Sequence, residues 1–221
     1  MKHLLIRLLN MTVGLMLTAL GIILTIKANI GYAPWEVFHV GLSKTIGVSF
    51  GMTTIIVGII IVIIVTLLGE KLGFGTILSM VMTGIFIDII IIIDVIPIAK
   101  NFVVGVIMLI TGLFIISLGT YFYIKTAYGV GPRDNLMVVL AKKTKLPVGV
   151  CRGLVEFFVT VMGWMLGGMV GIGTVIAGFA IGFCVEITFA LFKFDATAVR
   201  HETLKQTFLA IKELLMKGRD L

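Results

Sequence analysis

The sequence predicts an all-α integral membrane protein: two tandem repeats of four helical segments, followed by a C-terminal amphipathic helix. Three observations predict it. Hydrophobic residues make up 59% of the 221-residue chain and charged residues 13%, with a mean hydropathy of +1.20. So little polar surface cannot cover a water-soluble globule. Uncharged runs recur at Leu8–Ile26, Thr45–Gly69, Leu72–Ile87, Asn101–Ile124 and Phe157–Val185, and about 20 such residues cross a bilayer as a helix. None alternates with the period of a barrel strand, so backbone satisfaction in lipid requires helices. Finally, the chain aligns with itself at an offset of 98 residues without a gap: residues 14–89 lie over 112–187 with 20 identities in 76 positions.

The matched positions define the elements. Helix a runs from about Leu4 to Lys27, and its copy from about Phe102 to Lys125. Lys2, His3 and Arg7 precede its 19-residue apolar run, Leu8–Ile26, which, with no small-residue cleavage pattern, is expected to be a retained span and not a signal peptide. A break follows, Ala28 to Pro34, copied as Thr126 to Pro132. Its glycines Gly31 and Gly129 match, and each proline suits the first turn of a new helix. Segment b is short and charged, from Pro34 to about Ile46 and from Pro132 to about Lys145. Helix c covers Ser49–Leu68 and Pro147–Leu166. Helix d covers Phe74–Ile96 and Ile172–Phe192, after a turn marked by Gly167, Gly168, Gly171 and Gly173. The resulting divisions are 1–98, 99–194 and a charged tail, 195–221. In the tail from Thr197, Leu204, Phe208, Ile211 and Leu215 fall at helical spacing, as expected of an amphipathic helix lying on the inner membrane surface or against the body.

Segment b sets the topology. Its helix reaches only about 20 Å. With the preceding six residues extended it would cross, giving eight crossings and parallel repeats. If it dips in and returns, there are six crossings and the repeats are inverted. The retained Lys44/Lys142 match favours the parallel form, since inverted halves would be under opposite charge pressure. Both forms put the N-terminus, the Lys142-Lys143-Thr144-Lys145 cluster and the tail on the cytoplasmic side.

The formal net charge of +7 follows from that bias and from attraction to anionic headgroups, with no nucleic-acid partner implied. Cys151 and Cys184 have no metal-ligand spacing and sit in apolar contexts; His3, His39 and His201 do not cluster. No cofactor, metal or enzyme signature appears. Two places carry candidate chemistry. A helix that begins at Pro34 or Pro132 inside the membrane presents free N–H groups and a positive dipole end, as half-helices of transporters do. Lys27, Asn29, Trp35, Lys125 and Arg133 flank those starts and are the candidate substrate-binding residues, with Pro34 and Pro132 themselves. Asp88 and Glu186, matched on helix d, are candidates for proton or ion coupling, as intramembrane carboxylates are by default. Glu156 is a third, four residues after Arg152 and able to pair with it. The expected function is a transporter for a small anionic solute, the alternative a non-transporting scaffold or accessory subunit. Gly178-Phe-Ala-Ile-Gly182 matches a small-xxx-small pattern, compatible with a homo-oligomer.

The run Lys27-Ala-Asn-Ile-Gly-Tyr-Ala-Pro-Trp-Glu, with Ser49-Phe-Gly51, Gly73-Phe-Gly-Thr76 and Gly84-Ile-Phe-Ile-Asp88, resembles the YczE/YitT-like bacterial integral membrane proteins, the YczE branch in particular. The resemblance extends to about residue 195 and implies a multi-pass protein of the bacterial cytoplasmic membrane. In the second repeat Trp35 becomes Arg133 and Asn29 becomes Ala127, so the two half-sites are unequal.

Overall fold

A computed structural model describes residues 2–70, 72–199, 201–204 and 206–207. Among them are eight α-helices and no strand: α1 (Lys2–Lys27), α2 (Pro34–Ile46), α3 (Phe50–Leu67), α4 (Phe74–Ile93), α5 (Phe102–Ile124), α6 (Pro132–Thr144), α7 (Val148–Met165) and α8 (Ile172–Leu191). Six are long and apolar enough to cross a membrane, all but α2 and α6.

Local chemistry sets the boundaries. The chain leaves α1 through left-handed backbone at Asn29 (φ 54°) and Gly31 (φ 115°), and leaves α5 the same way at Ala127 (φ 59°) and Gly129 (φ 132°). Prolines then start α2 and α6. Ser49 caps α3 by accepting from Met52 N at 3.1 Å, and Asn101 caps α5 by accepting from Val104 N at 2.9 Å. α4 stops short of the expected Ile96 because Asp94 turns left-handed (φ 51°). Adding 98 to the bounds of α2, α3 and α4 gives those of α6, α7 and α8. Left-handed positions 29, 31, 47 and 69 recur likewise at 127, 129, 145 and 167.

The bundle is centred on α1 against α5. A methyl placed on Gly14 would lie 2.8 Å from the Gly119 carbonyl oxygen, and one on Gly112 would lie 2.8 Å from that of Gly21. At the ends of the pair, Gly105 backs onto the Ala28 carbonyl, and Arg7 Nη2 donates to Thr126 O at 2.6 Å. The partner numbers fall as the chain number rises, so these corresponding helices run antiparallel. Bare glycine surfaces let the two backbones touch, the usual basis of helix association in lipid.

Antiparallel α1 and α5 correct the expectation of parallel repeats: the halves are inverted. The ends of the short helices agree. Lys27, at the end of α1, pairs with Asp94 at the end of α4 (2.6 Å), and Ser49, at the start of α3, donates to Asp88 of α4 at 2.5 Å. The chain therefore reaches one face after α1 and leaves from the same face into α3, and α2 is re-entrant. On the opposite face Arg7 meets the end of α5, and Lys142 of α6 pairs with Glu70 just beyond α3. This second face, carrying Arg7, Lys142, Lys143 and Lys145, is the basic face; the other is the far face. The matched lysines thus sit on opposite faces. Lys44 donates to Gly167 O at 3.0 Å on the far face. What they share is a place in the last turn of a helix, where a cation is favoured on either side of a membrane.

Each break is held by the other half. Gly173 N donates to Ile30 O and Gly75 N donates to Tyr128 O, both at 2.8 Å; Thr76 Oγ1 donates to Val130 O at 2.7 Å. α2 packs on α7, and α6 on α3. The expected tail helix falls outside the described residues apart from its first positions. Those dock on the basic face: Glu202 N donates to Ala127 O at 2.8 Å and Leu204 N to Leu72 O at 2.9 Å, and Arg7 pairs with Glu202 at 2.7 Å.

Two measurements check this arrangement. With Cys151 and Cys184 replaced by alanine, single cysteines at Ile46 and Asn101 should be labelled by an impermeant maleimide from one side of the membrane, and one at Lys145 from the other; a crossing α2 would put Ile46 with Lys145. Gly21→Val should abolish the folded protein in detergent, because its Cβ would sit 2.6 Å from the Gly112 carbonyl oxygen, whereas Gly153→Ala, where nothing lies within 4 Å, should leave the thermal midpoint within a few degrees.

Candidate functional site

The re-entrant helices enter from opposite faces and meet by their first turns. Between them lies a cavity of about 330 Å³. Its wall takes one or more residues from the middle of every crossing helix, among them Thr18, Val57, Thr83, Ile116, Glu156 and Ile181. Pro34, Trp35, Pro132 and Arg133 line the same space. Both helix starts therefore open at mid-depth.

Arg133 holds the two starts together. Its Nη1 lies 3.2 Å from Glu36 Oε1, its Nη2 lies 3.0 Å from His39 Nδ1, and its guanidinium carbon sits 5.0 Å from the centre of the Trp35 ring. Glu36 and His39 are 4% and 1% exposed. Guanidinium has no acceptor, so His39 Nδ1 accepts and the ring proton is on Nε2. That Nε2 and Trp35 Nε1 are both buried with no partner among the described residues. Two unpaired donors in a buried place are costly, by about 1–3 kcal/mol each, until an acceptor reaches them.

The charges balance. Glu36 and Asp134 each lie in the first turn of their helix, where a carboxylate offsets a dipole end equivalent to roughly half a positive charge. Two carboxylates thus face two half-charges and Arg133. Asp134 also accepts from Tyr123 Oη at 3.0 Å. On α7, Arg152 and Glu156 line the cavity as an ion pair at 2.9 Å.

Among the residues the sequence singled out, Pro34, Trp35, Pro132, Arg133 and Glu156 come together at the cavity. The others do not. Lys27 is at the far face with Asp94, its carbonyl accepting from Ala99 N at 2.8 Å. Lys125 is at the basic face, its Nζ 3.1 Å from Tyr121 Oη. Asn29 is exposed and serves as the left-handed exit of α1. Asp88 caps a helix: it accepts from Ser49 Oγ and, at 2.8 Å, from Gly51 N. Glu186 is exposed on α8, away from the cavity. Sequence reasoning passed over His39 and Tyr123. The available signal was Trp35, Glu36 and His39 close together on the first half of one short helix.

The chain matches a family of unknown function, DUF6198, over residues 5–189. It is 31% identical over 177 residues to the uncharacterized membrane protein YczE of Bacillus subtilis (strain 168), covering 79% of this chain and 81% of that protein. It is 29% identical over 180 residues to an uncharacterized protein of Haemophilus influenzae, covering 79% and 82%, and 30% identical over 167 residues to the uncharacterized protein YyaS of Bacillus subtilis, covering 74% and 83%. No solved structure matches the chain. The chain belongs to the DUF6198 family and is a YczE-like membrane protein.

The Arg133–Glu36 pair makes a measurable claim. Arg133→Ala strands a buried carboxylate and should destabilise the protein by about 3 kcal/mol or more. The double variant Arg133→Gln/Glu36→Gln, neutral at both positions, should recover most of that loss. Unfolding in mixed micelles, followed by tryptophan fluorescence, gives both values; equal destabilisation by the single and double changes would refute the pairing.

Proposed function

We propose that this YczE-like protein is a transporter of a small zwitterionic or neutral dipolar solute, bound at mid-depth between the first turns of α2 and α6. The observation that carries the reading is the cavity itself, closed by two helix starts that meet across an arginine–carboxylate–imidazole cluster. Irregular backbone at membrane depth survives where it lines a cavity or is buried in protein, and inverted halves around a central site suit alternating access. A scaffold or accessory subunit needs no such space.

The expected solute class moves from anionic to dipolar. With Lys27 engaged at the far face and the lining charges in balance, an anion finds no surplus positive charge. A carboxylate or carbonyl end would meet Arg133; an ammonium or hydroxyl end would meet Glu36, Asp134 or Glu156. The remaining wall is largely aliphatic, and the volume is at the small end of ligand sites.

In this reading the protein works in the bacterial cytoplasmic membrane with its basic face inward. Arg7, Lys142, Lys143 and Lys145 lie on that face, against Lys27, Lys44 and Lys100 on the other. Both termini are then cytoplasmic.

Thermal shift in nanodiscs, against sets of small anions, cations, zwitterions and neutral polar molecules of similar size, tests the proposal. Zwitterions or neutral dipoles should raise the midpoint, by an amount equivalent to about 2.7 kcal/mol at a hundredfold excess over Kd. The shift should vanish in Arg133→Gln/Glu36→Gln, and the stabilising compound should be taken up by proteoliposomes. Stabilisation by anions alone would overturn the solute class; no stabilisation and no uptake by any class would overturn transport.

A further inference from the structure

The two halves share backbone bounds but not packing. In the first half, α3 and α4 pack on each other. Gly51 and Gly84 meet backbone to backbone, and Asp88 receives Gly51 N at 2.8 Å and Ser49 Oγ at 2.5 Å. This seam joins α3 to α4 at the far face. The corresponding positions on the basic face are Gly149, Gly182 and Glu186, each 98 residues on. There α7 packs on α2, α8 packs on α5, and α7 and α8 share no packing comparable to that of α3 on α4. Neither Gly149 nor Gly182 has any atom within 4 Å of an added methyl. Glu186 lies one turn beyond Gly182 on the same helix face, exposed and without a partner among the described residues. The start of α7 has no side-chain cap. A seam that is complete on one face is pulled apart on the other, with its parts in place.

We infer that the α3–α4 seam and the α7–α8 gap are the two gates of one device, and that Glu186 caps the start of α7 when the second gate shuts, as Asp88 now caps α3. The present form is shut at the far face and open at the basic face. In the opposite form Gly149 meets Gly182, the Glu186 carboxylate accepts from Gly149 N, and the Asp88 contacts part. Pro147 stands where Ser49 stands in the first half, so no hydroxyl bridges the second seam; glutamate supplies one more methylene of reach. Val185, which faces the cavity beside the gap, would then be covered by α7, as its counterpart Ile87 is covered now (0% exposed). The purpose of the exchange rests on the transport reading. Its existence does not, and distances taken without solute separate the two: a rigid protein would sink the gates and leave the cavity to the ligand screen.

The test is pulsed dipolar spectroscopy on the full chain in nanodiscs, with Cys151 and Cys184 replaced by alanine. Spin labels go on Met52 and Ile85, or on their counterparts Val150 and Phe183, all exposed. The dominant population should show a short 52–85 and a long 150–183 distance. Asp88→Asn should raise, about tenfold or more, a second population in which the long and short pairs are exchanged, the scale of a hydrogen bond to a charged group. Glu186→Gln should lower it by a similar factor, and Gly182→Phe should remove it. Ser49→Ala, which deletes one contact to Asp88, serves where Asp88→Asn fails to fold. One unchanging 150–183 distance in every variant, or both pairs lengthening together, would overturn the inference.

Discussion

The structure depends on where the backbone groups of two broken segments find partners. Residues 28–33 and 126–131 leave helical geometry at the rim and descend to a depth where lipid offers no hydrogen bonds, and each unmet N–H or carbonyl there costs several kcal/mol. Neither segment satisfies itself. Ile30 O is met by Gly173 N, and Tyr128 O by Gly75 N. Each acceptor belongs to one half and each donor to the start of helix d in the other. This crossed dependence explains the glycines at 73, 75, 171 and 173, since a side chain there would hold the strands of backbone apart; a methyl on Gly171 would lie 2.5 Å from the Ile30 carbonyl oxygen. It also makes the halves obligate partners, because separating them exposes both breaks.

Once the breaks are fixed, the positions of α2 and α6 follow, and so does the meeting of their first turns. Two dipole ends pointed at one cavity would repel each other and attract any stray anion. The chain answers with Glu36 and Asp134 in those first turns and sets Arg133 against Glu36. The result is a polar centre with little net charge in an apolar wall. Such a centre is selective by geometry more than by charge, because a ligand gains only where its own donors and acceptors replace those the cluster leaves unmet.

Much of the fold was legible in the sequence. Apolar runs, paired glycines and prolines located all eight helices to within about three residues, because in lipid those signals act on the backbone directly. Orientation was not legible. It is decided by the contact of α1 with α5, and the Lys44/Lys142 match that seemed to report on membrane side reports on helix ends instead. Depth was equally hidden. Asp88 reads as an intramembrane acid in one dimension, but it stands six residues from the left-handed Asp94 and reaches the start of α3. Lys27 reads as a site residue because it precedes the break, yet the break itself descends while Lys27 stays at the rim with Asp94. For the same reason His39 was missed: nothing in the sequence says that the first turns of α2 and α6 share a space.

Inversion also explains why the two half-sites had to become unequal. Positions that correspond by the 98-residue offset face each other across the cavity, so identical halves would set like against like. An arginine at 35 as well as at 133 would place two guanidinium groups together at mid-depth, with a single carboxylate in reach of each. Instead Trp35 stands opposite Arg133 and offers its ring face at 5.0 Å, an attractive contact for a desolvated cation. His39 stands where the other half has Met137, so one imidazole, not two, shares the arginine. The backbone keeps its near-symmetry because both breaks need the same crossed hydrogen bonds, and the side chains abandon it because a charge at the centre of a symmetric site has no opposite to meet.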